Sequence, residues 1–234
     1  MSTNFNFKIA GSAGEGIKKA GLIFSKTCFK QGFFVHGYTE YPSLIRDGRN
    51  TFQIHASVEP NSSPLREPDF TIDLQNEADL PLSQINKDAG GTPQTKNVLG
   101  LGIACFIFDL NLDTLNEVIA DTFGKKSQAI KDLNKKIADA GYDYASKNLK
   151  NKALPKIETN NTDERLYLTG NEAISLGAIA GGMKLYIAYP MTPATSILHS
   201  LASKAKKADI VVRHAEDEIG TINMAIGAGF AGVR

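Results

Sequence analysis

Apolar residues alternate at Phe5, Phe7 and Ile9, then recur three to four apart at Ile17, Ala20, Phe24 and Cys28, with the glycine turn "GSAGEG" (11–16) between the two patterns. The change of period from two to 3.6 predicts a strand, a turn and a helix. "FFVHGYTEYP" (33–42) and "TFQIHASV" (51–58) predict two more strands on either side of a turn at Asp47–Gly48, and with them the start of an open α/β sheet. From Glu59 to Gly91 the chain is rich in Pro, Asn, Asp and Ser and predicts no regular element, although so long a loop is unusual inside a compact domain. "NVLGLGIACFIFDL" (97–110) predicts a helix, and Leu115, Val118, Ile119, Ile130, Leu133 and Ile137 mark the apolar stripes of two more, parted at Gly124.

A polar, aperiodic stretch with one proline predicts a linker at 151–165, which divides the chain into a first domain (1–150) and a second (166–234). Past it, Thr169 and Glu172 have the spacing of a capping box at the head of "AISLGAIAGG". The strand "KLYIAY" (184–189) follows. Thr192 is then expected to cap a helix with Pro193 at its first position, where a missing N–H costs nothing. A strand "DIVVRHA" (209–215) and a small-residue helix "EDEIGTINMAIGAGFAG" complete the pattern. This strict alternation predicts a parallel sheet with right-handed crossovers. The last helix, ending in "GAGFAGVR", asks for more sheet to pack on, so the second domain is expected to be incomplete, either a fragment or dependent on a partner.

Composition narrows the function classes. With 26 basic and 25 acidic residues the formal charge is +1, which generates no field for nucleic acid or an anionic membrane. The N-terminus lacks the basic and apolar regions of a signal peptide, and no apolar run approaches the roughly 20 residues of a membrane span, so a cytoplasmic protein is expected. Cys28 and Cys105 are the only cysteines, without the spacing of a zinc site or an iron–sulfur cluster, and the four histidines show no metal or triad spacing. No metal site is expected on this chain.

Three places carry candidate chemistry. Gly11, Gly14 and Gly16 lie between a strand and a helix, where backbone N–H groups and the helix dipole favour an anion. Their spacing departs from the dinucleotide fingerprint, with Ala13 inside it and Glu40 as the one residue resembling a ribose ligand, so a tight structural turn and a phosphate cradle both stand. Arg46 and Arg49 flank a glycine turn that, taken alone, reads as a solvated loop; folded near the first glycine turn, they would hold an anion through guanidinium hydrogen bonds. Glu216, Asp217 and Glu218 stand at a strand-to-helix junction; for the first two, the preference of acids for a first turn is sufficient reason. Glu218, beside a stripe of small residues, is expected to be poorly solvated and hence suited to proton exchange with a bound cofactor.

Taken together the motifs resemble one family. "YPMTPAT" (189–195) is similar to the "YPITPST" signature of the 2-oxoacid:ferredoxin (acceptor) oxidoreductases, and "LTGNEAISLGAIAGGMKLYIAYPMTPATSIL" and "AEDEIGTINMAIGAGFAG" resemble the opening of their alpha subunit. "IAGSAGEGIKKAG", "EYPSLIRDGRN" and "SPLREPDF" resemble their gamma domain. Gamma before alpha is the order of the fused alpha subunits. The resemblance implies a gamma-type α/β domain, followed by the start of a parallel α/β domain of the pyrimidine-binding type.

It also implies oxidative decarboxylation of a 2-oxoacid such as pyruvate or 2-oxoglutarate, dependent on thiamine diphosphate, with acyl transfer to coenzyme A and electrons to ferredoxin. Activity would need a beta subunit, expected to carry the Mg2+ and the iron–sulfur cluster. Glu218 matches the glutamate that hydrogen-bonds the aminopyrimidine ring, and Thr192, with Tyr189 and Pro190, matches the segment that contacts the 2-oxoacid. Gly14, Gly16 and Arg46 match the part associated with coenzyme A. The chain departs from the family at Met191 and Ala194, where the signature has Ile and Ser, and in "IRDGRN", where "IRGGHN" is usual. It is also shorter between 59 and 91 and ends early, at Arg234. A non-catalytic nucleotide-binding module and an assembly subunit are the competing readings.

Overall fold

The three-dimensional structure is a computed structural model; it describes residues 3–40, 48–78, 80–159 and 164–233. The chain divides into two units, Met1–Glu164 and Arg165–Arg234.

The first unit runs β1 (Asn4–Gly11), α1 (Ile17–Lys30), β2 (Phe34–Glu40), β3 (Asn50–Ser57), β4 (Phe70–Asp73), α2 (Leu82–Asp88), α3 (Lys96–Ile107), α4 (Leu112–Thr122) and α5 (Gln128–Asn148). Its sheet has the order β2-β3-β1-β4. β3 is antiparallel to both β1 and β2, while β4 lies parallel to β1. The alternation in β1 sends Phe5, Phe7 and Ile9 into the core, where Phe5 stacks on Phe108 with ring centroids 4.3 Å apart and Phe7 meets Phe24 of α1 at 4.6 Å. Such aromatic contacts add to a burial term that dominates the stability of a core this size.

The opposite face of the sheet explains the region left without structure by the sequence. Asn6, Gln53 and His55 are buried there and hold the segment that leads to β4. Asn6 Nδ2 donates to the Leu65 and Glu67 carbonyls (3.2 and 2.7 Å), His55 Nδ1 to the Ser63 carbonyl (2.8 Å), and Gln53 Nε2 to the Leu65 carbonyl. The Asn6 backbone N–H is taken by Asp69 Oδ2 at 2.7 Å. Side-chain-to-backbone bonds therefore lay this polar segment against the sheet, and β4 and α2 form within the stretch 59–91, where no element was predicted.

α3 is buried along nearly its whole length and crosses α5 at two glycines. A Cβ on Gly102 would meet the Ala138 carbonyl oxygen at 2.0 Å, and one on Gly141 the Leu99 carbonyl oxygen at 2.2 Å. The expected linker at 151–165 is corrected for its first part. Leu149 is buried, the Leu154 N–H donates to the Ile107 carbonyl (2.7 Å), and the Thr159 hydroxyl donates to the Gln31 carbonyl. Residues 151–159 are thus packed as part of the first unit, because Leu154 and Ile157 find room against its core.

The second unit alternates as expected: α6 (Gly170–Ala180), β5 (Leu185–Ala188), α7 (Thr195–Ala208), β6 (Val211–His214) and α8 (Glu218–Phe230), with β5 and β6 parallel. The predicted capping box heads α6, where Thr169 N–H donates to Glu172 Oε2 (2.8 Å) and Glu172 N–H to Thr169 Oγ1 (3.3 Å). Two strands bury little. Leu198, Leu201, Ile210 and Ala215 are the buried apolar residues among those described, whereas α8 buries none and leaves Ile219 74%, Ile226 65% and Phe230 96% exposed. Among the described residues no helix is long and apolar enough to cross a membrane.

Both cysteines are in the first unit's core. Burial, with a contribution from the charge of Asp109, pushes the Cys105 thiol up to about 12; burial, then Cys105, pushes Cys28 well above its ordinary value. A thiol at about 12 leaves on the order of 0.0001 as thiolate at pH 8. Neither cysteine is therefore expected to react with iodoacetamide in the folded protein at pH 8, and both should react in denaturant, as read by intact-mass spectrometry. Gly141→Ala should cost about 3 kcal/mol or more, because its methyl group lands on a backbone oxygen that cannot turn away. That corresponds to a fall in Tm of roughly 6–12 °C by calorimetry.

Candidate functional site

Two loop clusters, one in each unit, collect the residues singled out by sequence. In the first unit, β1 ends at Gly11 and the turn adopts left-handed conformations at Gly14 (φ +91) and Gly16 (φ +74), which side chains other than glycine reach only at a cost of about 1–2 kcal/mol. Gly16 stands at the N-cap of α1. No side chain caps that first turn, and it contains no acidic residue. Among the described residues its backbone N–H groups are thus unspent donors at the positive end of a 14-residue helix.

An open cavity of about 440 Å³ lies in front of them, lined by Ser12, Gly14, Gly16, Lys18, Thr39 and Asn50 among others. Lys18 has no ion pair among the described residues, while the Lys19 ammonium sits 4.1 Å from the centre of the Phe123 ring. The two lysines were missed by a reading confined to the glycines, although "GIKK" carries them on the first helical turn. The arrangement suits a phosphate-bearing anion: N–H donors, a helix terminus and one uncommitted ammonium.

Arg46 lies outside the described residues. The other arginine of that loop, Arg49, pairs with Asp73 and is thereby engaged, although its side chain stays about half exposed. Glu40, the one candidate ribose ligand, accepts from the Thr51 hydroxyl (3.1 Å) and the Tyr38 hydroxyl (3.3 Å), which ties it into the sheet. Among the described residues no group of three His, Cys, Asp or Glu is placed to hold a metal ion.

In the second unit the parallel register pairs Ala188 with His214, and the Ala215 N–H donates to the Ala188 carbonyl at 3.0 Å. The segment Tyr189–Ala194 and the junction Ala215–Glu218 therefore leave the sheet side by side at its carboxyl edge, the edge where open α/β sheets bind ligands. Tyr189 and Pro190 begin the first of these. Asn171, on the first turn of α6, holds it from behind: its Nδ2 donates to the Pro193 carbonyl (3.1 Å) and to the Ser196 hydroxyl. Asn171 had no signal in the sequence beyond its place in the capping box.

Two expectations change here. Thr192 does not cap α7. The Thr192–Pro193 peptide is cis, the helix begins at Thr195 with Ala194 at its N-cap, and Thr192 is exposed with its hydroxyl unspent. Glu218 is not desolvated by its own chain. It is exposed at the first position of α8, since the small residues that follow it are themselves uncovered. Asp217 caps the helix, its Oδ1 accepting from the Gly220 N–H at 2.6 Å. The Glu218 carboxylate makes no hydrogen bond among the described residues and is free to take an external donor.

Residues 6–78 and 75–144 match the family described as pyruvate ferredoxin/flavodoxin oxidoreductase, and residues 176–234 match its thiamine diphosphate-binding region. The chain belongs to this oxidoreductase family. Its gamma-type part precedes the start of its alpha-type part, the fused order. The alpha subunit of 2-oxoacid:ferredoxin oxidoreductase 1 from Sulfurisphaera tokodaii is 30% identical over 183 residues, 73% of this chain and 27% of that subunit. The 2-oxoglutarate oxidoreductase subunit KorA of Mycobacterium tuberculosis is 31% identical over 146 residues, 59% of this chain and 22% of that protein.

Among solved structures, a 2-oxoglutarate:ferredoxin oxidoreductase from Magnetococcus marinus with 2-oxoglutarate, coenzyme A and succinyl-CoA bound matches with a TM-score of 0.75 and 26% identity, over 100% of this chain and 47% of that one. A keto/oxoacid ferredoxin oxidoreductase gamma subunit from Geobacter sulfurreducens shares the fold, with a TM-score of 0.50 and 13% identity over 62% of this chain and 98% of that one. The present chain spans about a quarter (27%) of the length of the first-named relative.

Asn171→Ala removes both contacts that hold the oxidoreductase's Tyr189–Ala194 segment to α6. It should speed amide exchange at 189–196 at least about tenfold while exchange in α1 and β1 stays unchanged, since each of the two lost contacts is worth about 1 kcal/mol and acts locally. Hydrogen–deuterium exchange mass spectrometry reads this directly.

Proposed function

We propose that this chain is the gamma-plus-alpha part of an enzyme that oxidatively decarboxylates a 2-oxoacid, passes the acyl group to coenzyme A and delivers electrons to ferredoxin. The observation that carries the reading is the pairing, at one sheet edge, of an unspent carboxylate at Glu218 with the "YPMTPAT" segment, in a chain whose family match there is thiamine diphosphate-binding.

Glu218 fits a thiamine-type cofactor, being an acid with no internal partner on a helix whose uncapped work is done by Asp217. When bound, the cofactor supplies the carbon that adds to the substrate carbonyl and accommodates the electron pair left by carbon dioxide. Glu218 holds and exchanges a proton at the aminopyrimidine ring. Thr192, with its free hydroxyl, and the neighbouring Tyr189 and Pro190 receive the 2-oxoacid. In the first unit the N–H groups that follow Gly16, with Lys18 and with Arg46, hold a phosphate group of coenzyme A.

A beta subunit supplies Mg2+, the diphosphate site and the iron–sulfur cluster. The bare apolar surface of α8 supports this dependence, because burying it is what desolvates Glu218 and gives its proton exchange a low-dielectric setting.

The test is acceptor reduction by the full subunit co-expressed with its beta subunit, in the presence of a 2-oxoacid and coenzyme A. Turnover should need both compounds, and Glu218→Gln should lower kcat on the order of 100-fold or more, the usual contribution of a positioned proton-transfer group. Turnover by Glu218→Gln within about threefold of the parent overturns the role given to that residue.

A further inference from the structure

The glycine turn has a front, which lines the cavity, and a back. Glu15, Lys96 and Asn97 do not line the cavity. They stand behind the turn and join it to the start of α3. Asn97 Nδ2 donates to the Glu15 carbonyl at 2.8 Å, and Glu15 Oε2 accepts the Ser12 N–H at 2.7 Å. The other carboxylate oxygen, Oε1, lies 4.0 Å from Lys96 Nζ, whose ammonium also donates to the Leu74 carbonyl and to Glu77 (3.3 Å). Glu77 in turn accepts the Ser83 N–H at the start of α2 (3.2 Å). The anchorage is firm because α3 is locked against α5 by the close contacts at Gly102 and Gly141.

Two features of this buttress exceed what folding alone asks for. Asn97 is buried, yet its Oδ1 has no hydrogen-bond partner. A residue that leaves a buried acceptor unsatisfied is a poor choice for stability, so its Nδ2 bond to the turn is the reason it suits this place. Gly14 and Gly16 would otherwise leave the turn with wide backbone freedom, and a ligand binding to a loose turn must order it first. Glu15 also puts a negative charge next to a site for an anion, and the Lys96 ammonium, 15% exposed, offsets it.

We propose that Glu15, Lys96 and Asn97 are positioning residues: they fix the turn from behind so that its N–H groups meet the phosphate of an anionic ligand, which they do not touch. The inference rests on reading the front of this turn as the coenzyme A site.

The experiment measures Michaelis constants for coenzyme A and for the 2-oxoacid in the assembled oxidoreductase, together with Tm. Glu15→Ala and Asn97→Leu should raise the coenzyme A constant about tenfold or more and leave the 2-oxoacid constant within about twofold. Asn97→Leu should do so without lowering Tm, because it removes the unsatisfied acceptor, whereas a merely structural bond would lower Tm on removal. Glu15→Gln keeps an acceptor for the Ser12 N–H and should return the constant to within about threefold of the parent. Lys18→Ala, at the front, tests the underlying reading. If it raises the coenzyme A constant while Glu15→Ala and Asn97→Leu do not, the buttress is overturned and the site stands. If Lys18→Ala and all the others are silent, the site reading fails and takes the inference with it. A fall in Tm with both Michaelis constants unchanged also overturns the proposal.

Discussion

Everything in the first unit refers back to the contact of α3 with α5. Glycines at 102 and 141 let two backbones approach so closely that a single methyl group at either position would strike a carbonyl oxygen. Packing at that distance fixes a helix pair in rotation as well as in separation, because no side chain is left to take up slack. α3 then presents Ile103 and Ile107 to the core and Lys96 and Asn97 to the glycine turn. The geometry of the candidate anion site is thus set by a contact far along the same helix.

The second unit obeys the opposite condition. Among the described residues its three helices share a sheet of two strands, which offers them little hydrophobic face to pack against. The apolar residues of α8 remain in solvent, and isoleucines at 219, 222 and 226, on a helix with no buried residue, form an exposed apolar surface. The polar groups, by contrast, are already in order: the capping box of α6, the Asp217 cap of α8 and the hold of Asn171 on Pro193 form within the unit. Local hydrogen bonds thus set these loops without help from hydrophobic burial of α8.

Sequence pattern revealed the elements whose order is local. The period change across "GSAGEG", the capping box at Thr169 and the break at Gly124 all depend on residues within a turn of one another, and each appears where the pattern put it. β4 was illegible because its reason lies elsewhere: Asn6, Gln53 and His55, on other strands, supply the bonds that lay the segment at 63–67 on the sheet ahead of it. The antiparallel direction of β3 was hidden for the same reason, since alternation is identical in both directions. Thr192 misled differently. Thr-Pro is a sound start signal for a helix, yet Asn171 engages the Pro193 carbonyl and Ser196, and the helix begins only at Thr195. At the candidate site, the glycines and Glu218 were legible as residue types in strand-to-helix junctions, whereas Lys18, Asn171 and the supports behind the turn emerge only from the fold.

The adjacent acids at the head of α8 show why the solvation of Glu218 is a matter of assembly. A helix N-terminus attracts one carboxylate strongly, and Asp217 takes that place through the Gly220 N–H. Were Asp217 absent, Glu218 would be the nearest acid to the orphan N–H groups and would be drawn into capping. With the cap filled, its carboxylate is left to the environment, which in this chain is water and against a covering partner would be apolar surface. A cover over α8 would thus change the solvation of this side chain without any change in its own backbone.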